Sequence, residues 1–229
     1  MQVTKEGKAI AANVSGRGMT QPRWPAVLAT LALGGIYSAL PAPLLITGRR
    51  ELVLLVVIAL LVPTIITHKR GNHFLNQVFG FVLDSVVTIA LIWSLELLLA
   101  AVLRHEITPP QLLKSAAVLW IANVLVFASW YWHLDGGGPH ERSLTPGHSD
   151  GAFLFPQMSM NPEAKIAAGE HLWEPNFIDY LFLAFNTSTA FSPTDVPVLS
   201  RWAKIMMMTQ SLISLLVIAL LAGRAVNIL

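Results

Sequence analysis

Apolar stretches of bilayer-spanning length recur along this chain, and the first four are separated only by short polar turns. A helix needs about 20 apolar residues to cross the hydrocarbon of a membrane. That recurrence predicts an all-α membrane protein of about five transmembrane helices. Composition agrees. The chain is 54% hydrophobic and 12% charged, with a mean hydropathy of +0.60, whereas soluble domains carry about 25% charged residues. There are no cysteines, which excludes disulfides, thiol catalysis and cysteine metal sites. The net charge of +2, with no basic patch interleaved with aromatics, argues against a nucleic-acid surface.

Four regions follow from the pattern. Residues 1–23 form a polar, flexible tail without the apolar core of a signal peptide. Residues 24–133 form a four-helix transmembrane region. Its first apolar run, 25–46, carries Pro41 and Pro43 near its end, which predicts a kink or an early stop. The second, 51–67, contains Pro63 and pairs with the first as a hairpin. The third is 78–103. The fourth, 112–132, starts after Pro109 and Pro110, with Pro110 at or near N1, and ends in Trp130, Tyr131, Trp132 and His133, an aromatic group of the interfacial kind. Residues 134–175 form a polar extramembrane loop, too long for a simple turn. Residues 176–229 hold a short apolar helix, a hydroxyl-rich stretch and the last span.

Polar residues inside spans are the first functional candidates. A carboxylate in hydrocarbon is costly and faces the bundle or a water-filled cavity. Asp84 and Glu96 both lie in the third run. Helix geometry sets them about 120° apart around the axis and about 18 Å along it, so they do not form a catalytic pair. Both are near enough to the span ends to reach an interface. Asn123 reads as interhelical glue. Gln210, Ser211 and Ser214 form one polar stripe on the last helix, which either packs or lines a pore.

The most informative stretch begins at Asn176. Asn176 with Asp179 three residues on predicts a capped helix start. The apolar helix that follows, 177–185, is too short to cross a bilayer of about 30 Å. It is therefore either re-entrant or interfacial. After it come Thr187, Ser188, Thr189, Ser192, Thr194 and Asp195, and irregular backbone at membrane depth is tolerated only inside protein or against water. This order resembles the pore-loop module of the two-helix potassium channels, in which a pore helix precedes Thr-Val-Gly-Tyr-Gly-Asp. Ala190, Phe191, Ser192, Pro193, Thr194 and Asp195 stand at those places, and only the final aspartate is kept. The resemblance implies a channel-like homo-oligomer, since such a loop makes a path only when several copies surround one axis. Thr187, Ser188, Thr189, Ser192, Thr194 and Asp195 would line it, with Gln210 and Ser214 below. The missing glycines argue against potassium selectivity. The other reading is a plain helix start at Ser192, Pro193 and Asp195, in a structural or partner-binding membrane protein. The chain also resembles a group of bacterial membrane proteins with a Phe-Ser-Pro-Thr-Asp segment (Phe191 to Asp195) and an Arg-Ala-Val-Asn ending (Arg224 to Asn227). That likeness implies a multi-pass protein of the bacterial plasma membrane, with the lipid bilayer as its partner.

No enzyme is expected, and neither a metal nor a cofactor. Gly147, Ser149 and Gly151 fit a nucleophile-elbow pattern, but that motif needs a hydrolase sheet. The loop's His133, Asp135, His140, Glu141, His148, Glu170, His171 and Glu174 match no metal spacing and read as solvated groups or, for His133, as part of the aromatic belt. With five spans, Lys and Arg divide ten to five in favour of a cytoplasmic N-terminus. The potassium-channel module requires the reverse orientation.

Overall fold

The computed structural model describes residues 23–45, 48–144, 151–170, 173–190 and 196–226. The predicted tail, Ser192, Thr194, Asp195 and the Gly147–Ser149 motif lie outside these residues. Among the described residues the structure is helical, with one isolated β-bridge between Phe153 and Val198. The helices are α1 (Trp24–Tyr37), α2 (Leu52–Lys69), α3 (His73–Leu103), α4 (Pro109–Leu134), three short helices α5 (Pro139–Leu144), α6 (Pro156–Ser159) and α7 (Pro162–Ala167), then α8 (Phe177–Ala190) and α9 (Arg201–Val226). Four of them, α2, α3, α4 and α9, are long and apolar enough to cross a membrane. The first run yields only 14 helical residues, because α1 stops at Tyr37, ahead of Pro41, and a 3-10 turn at Ala42–Leu44 follows.

Local chemistry explains the other boundaries. Asn72 accepts a hydrogen bond from the Leu75 amide, so α3 starts at His73, five residues before the apolar run. Pro109 takes N1 of α4, one place before the predicted Pro110, and Gln111 reaches back to the Thr108 amide. α2 runs through Pro63, with the hydroxyls of Thr64 and Thr67 bonded to carbonyls one turn back. The predicted cap of α8 forms in both halves. The Ile178 amide donates to Asn176 and the Asn176 amide donates to Asp179, both at 2.8 Å. α8 extends to Ala190, so Thr187, Ser188 and Thr189 are helical where an irregular loop was expected. Thr187 and Thr189 bond their hydroxyls to carbonyls four residues back, which lets them sit in a helix. α9 starts at Arg201 behind Ser200, which accepts from the Ala203 amide. The alternative helix start expected at Ser192, Pro193 and Asp195 lies outside the described residues.

α4 is the hub, packing against α1, α3, α8 and α9. Its most apolar window is 56% buried, against 22% for α2 and α9. The outer faces of α2 and α9 present Leu55, Ile58, Val62, Ile205, Met208 and Leu212, as lipid-facing helices do. Tyr131 and Trp132, expected at an interface, are buried instead. Tyr131 packs edge-on against Phe153, which also meets Tyr180 and Trp202.

Residues 135–144 and 151–170 form a folded cap on one end of the bundle rather than a solvated loop. Leu154 donates to the Pro197 carbonyl and Leu199 to the Ala152 carbonyl, which ties the cap to the start of α9. The rings of His73 and His140 stack at 3.5 Å, joining the cap to the start of α3. Arg23 bonds Asn76 at the same end. The cap end therefore holds the starts of α1, α3 and α9 and the end of α4.

α1 and α2 approach closely at Gly34. A Cβ on Gly34 would stand 3.2 Å from the Leu54 Cα, and small residues permit such contact between membrane helices. Gly34→Leu is expected to lower stability by about 1–3 kcal/mol through overpacking. Thermal unfolding in detergent measures this, with Gly35→Leu, which faces open space, as the control.

Candidate functional site

Most of the polar side chains inside the bundle gather on α4 or reach it from α3, α8 and α9, in three layers. The deepest is neutral. Gln210 of α9 donates to the Ala184 carbonyl at 2.7 Å and to Ser188 at 2.8 Å, and accepts from the Tyr131 hydroxyl at 2.6 Å. Ser214 donates to the Ser188 carbonyl and accepts from Trp120. Asn123 donates to the Gln210 carbonyl at 3.2 Å. Thr187, Ser188, Asn123, Gln210 and Ser214 are all buried. In a single copy these sequence-predicted residues bond neighbouring helices, and the α9 stripe is a packing stripe. Thr189 stands apart on the exposed face of α8, beside Ile178, Phe182 and Phe185.

These bonds also fix direction. Ala184 meets Gln210, and Ser188 meets both Gln210 and Ser214, so α8 and α9 run parallel. Two consecutive parallel helices require the chain to return between them. It does, reappearing at Val196 beside the cap, with Val198 bridged to Phe153. α8 thus enters the bundle from the cap end for 14 residues, or about 21 Å, and the chain comes back to that end.

The middle layer is ionic. Asp84 of α3 is buried, and its carboxylate accepts 2.6 Å hydrogen bonds from Ser129 and from Nδ1 of His133, both on α4. Thr88, one turn along, donates to the Asp84 carbonyl and accepts from Trp130. Glu96 is exposed, whereas the expectation of a carboxylate near the interface is corrected for the buried Asp84. His133 is its partner rather than a belt residue. A Cβ on Gly80 would stand 3.0 Å from His133 Nε2, so glycine lets the α3 backbone approach the ring. Ser129 donates to the carboxylate, not to the imidazole. The group therefore lacks the base-to-hydroxyl bond that activates a serine nucleophile.

The third layer lies under the cap. Asp135 and Arg142, expected to be solvated, are both buried. Asp135 accepts from the Ala152 amide and from the Tyr180 hydroxyl at 2.6 Å. Arg142 donates to the carbonyls of Trp132 and Asp135 and lies 5.0 Å over the Tyr180 ring. Burial pulls the Arg142 guanidinium below its ordinary pKa, and the Tyr180 and Asp135 charges oppose that shift. Sequence spacing gives no signal for this cluster, since its members come from three separate elements. Among the described residues no group of three His, Asp or Glu side chains is placed to hold a metal.

No family model, curated protein or solved structure matches this chain.

Gln210→Leu is expected to destabilise the fold by about 1–3 kcal/mol, because it strands the Tyr131 hydroxyl, the Ala184 carbonyl and Ser188. Ser211→Ala should change little, since Ser211 makes only a 3.4 Å contact to Thr187. Denaturant titration in micelles compares the two.

Proposed function

We propose that this chain is a multi-pass membrane protein that assembles as a homo-oligomer and forms a channel-like path around its re-entrant α8 segment. The observation that carries the reading is the parallel course of α8 and α9 with the chain back at the cap end by Val196. A segment that enters and leaves by one face brings irregular backbone to membrane depth. Such backbone has to be covered by protein or by water. The outward face of α8, with Ile178, Phe182, Phe185 and Thr189, is uncovered in one copy, so a second copy is its natural cover. α1 with its following turn supplies the fifth crossing. The path runs between copies, because the interior of one copy is filled by the bonded layer at Ser188 and Gln210. Thr189, Ser192, Thr194 and Asp195 are its lining groups, and potassium selectivity is not expected of them.

The cap end carries Arg23, Lys69, Arg70, Arg142, Lys165, Arg201 and Lys204, and the opposite turns carry Arg49, Arg50, Arg104 and Lys114. The positive-inside rule therefore assigns the cap to the cytoplasm, and the re-entrant segment enters from there. A second reading, a non-catalytic structural protein that binds partners through its cap, is favoured by one observation. Thr187, Ser188, Gln210 and Ser214 are already bonded inside each copy, as in a protein with no passage.

Conductance separates the two. Verified oligomers in planar bilayers are expected to pass ions, with a weaker cation preference in Asp195→Asn. Electrically silent oligomers would favour the structural reading. Sidedness is read with Ser159→Cys, an exposed cap position in a chain without cysteine. An impermeant maleimide should label it only after permeabilisation, and labelling in intact cells would reverse the orientation.

A further inference from the structure

The pair Asp84 and His133 has three properties that a merely structural ion pair does not require. First, its two members differ in access. The His133 side chain is 14% exposed and that of Asp84 only 2%. The imidazole thus stands between solvent at the cap end and a carboxylate sealed inside the bundle. Second, the hydrogen bonds survive a change of protonation. With Asp84 ionised, the carboxylate can only accept, so Nδ1 carries the proton. With Asp84 neutral, Oδ2–H donates to a bare Nδ1 across the same 2.6 Å, and Oδ1 still accepts from Ser129. Third, the carboxylate borders a small cavity of about 10 Å³, the room of one water molecule, beside Thr30 and Ser129. The cavity's other walls include Leu33, Val87 and Leu125, which give a proton no onward route.

Among the described residues that border the pair, none is charged. α1 presents Ala29, Thr30 and Leu33 to it, and α8 presents Phe177. Around the imidazole stand Gly80, Phe81 and Trp132. The nearest ionisable groups of the cap are engaged elsewhere, Asp135 with Tyr180 and Ala152, and Arg142 with the Trp132 and Asp135 carbonyls. At the outer end, Arg23 bonds Asn76, His73 stacks on His140 with Glu141 beside it, and His68 closes α2.

We propose that Asp84 and His133 form an intramembrane proton-binding site that loads from the cap end through the imidazole. A proton from water adds to His133 Nε2. The Nδ1 proton passes to Asp84 Oδ2. The ring stays neutral with its tautomer exchanged, and the carboxylate becomes a carboxylic acid. One proton is taken up, no electron moves, and neither hydrogen bond is lost. Among the described residues the cavity walls beyond Asp84 are apolar apart from Thr30 and Ser129, so the site stores a proton rather than conducting one. The proposal stands apart from any pathway at α8.

The test is infrared difference spectroscopy of the full chain in lipid nanodiscs during an acid jump. The wild type should show the C=O stretch of a protonated carboxylic acid in hydrophobic surroundings. Asp84→Asn, which keeps the acceptor for Ser129, should lose that band. His133→Gln keeps a donor for Asp84 but cannot relay a proton. It should retain the band and slow its appearance by about a hundredfold, the lower end of what positioned proton transfer contributes. Far-ultraviolet circular dichroism verifies that each variant is folded. If Asp84→Asn does not fold, the His133→Gln rate decides alone. A band that persists in Asp84→Asn, a wild type with no such band, or an unchanged rate in His133→Gln would each overturn the proposal.

Discussion

A polar group inside hydrocarbon has no water to fall back on, and this constraint organises the bundle. α4 carries Trp120, Asn123, Ser129, Trp130, Tyr131 and His133 within fourteen residues, more polar atoms than one membrane helix can satisfy alone. Each therefore needs a partner on another element. Trp120 finds Ser214, Tyr131 finds Gln210, Trp130 finds Thr88, and Ser129 with His133 finds Asp84. These pairings fix the register of α3 and α9 against α4 more tightly than apolar packing could. Lipid tails compete with a leucine contact on nearly equal terms, and they cannot replace a hydrogen bond.

The same constraint accounts for α8. Its Ser188 hydroxyl meets α9 and α4 on the inner side, while its outer side carries Ile178, Phe182 and Phe185 with Thr189. A helix of 14 residues is too short to cross a membrane, and the Ser188 carbonyl near its end is met by Ser214 of α9. Running parallel to α9 brings Ser188 and the Ala184 carbonyl against Gln210, which turns a polar stripe on α9 into a docking rail. The cap completes the arrangement from above. Phe153 sits among Tyr131, Tyr180 and Trp202, so one aromatic side chain ties the cap to α4, α8 and α9 together.

What the sequence made legible was whatever depends on near neighbours. Long apolar runs predicted the four helices long enough to cross a membrane together with a fifth, α1, that forms only 14 residues of helix, and Asn176 with Asp179 predicted the start of α8, because a cap is built within four residues. Boundaries slipped where a side chain outweighed hydropathy. Asn72 starts α3 early, and the backward bonds of Thr187 and Thr189 carry α8 through a stretch that composition reads as loop. Partnerships across the fold were invisible. Asp84 and His133 are 49 residues apart, and each has an innocent local reading, one as an interfacial carboxylate and the other as the tail of an aromatic belt. Asp135 and Arg142 lie in a segment rich in glycine, proline and charge. Their burial depends on Tyr180 and Ala152 arriving from elsewhere, which no local pattern announces.

The layers also differ in what they can change. Amides and hydroxyls around Gln210 do not titrate in any accessible range, so the deep layer is the same at every pH and acts as a fixed frame. Charge is confined to the two layers nearer the cap, where Asp84, His133, Asp135 and Arg142 lie. Burying such ionisable groups costs free energy that apolar residues of similar size would not. A bundle selected for stability alone would have shed them. Their position gives the cost a use. His133 is one residue from the carbonyl of Trp132 and two from Asp135, both bound by Arg142. His133 thus joins the Asp84 layer to the segment where Arg142 fastens the cap, while the frame below holds α8 against α9.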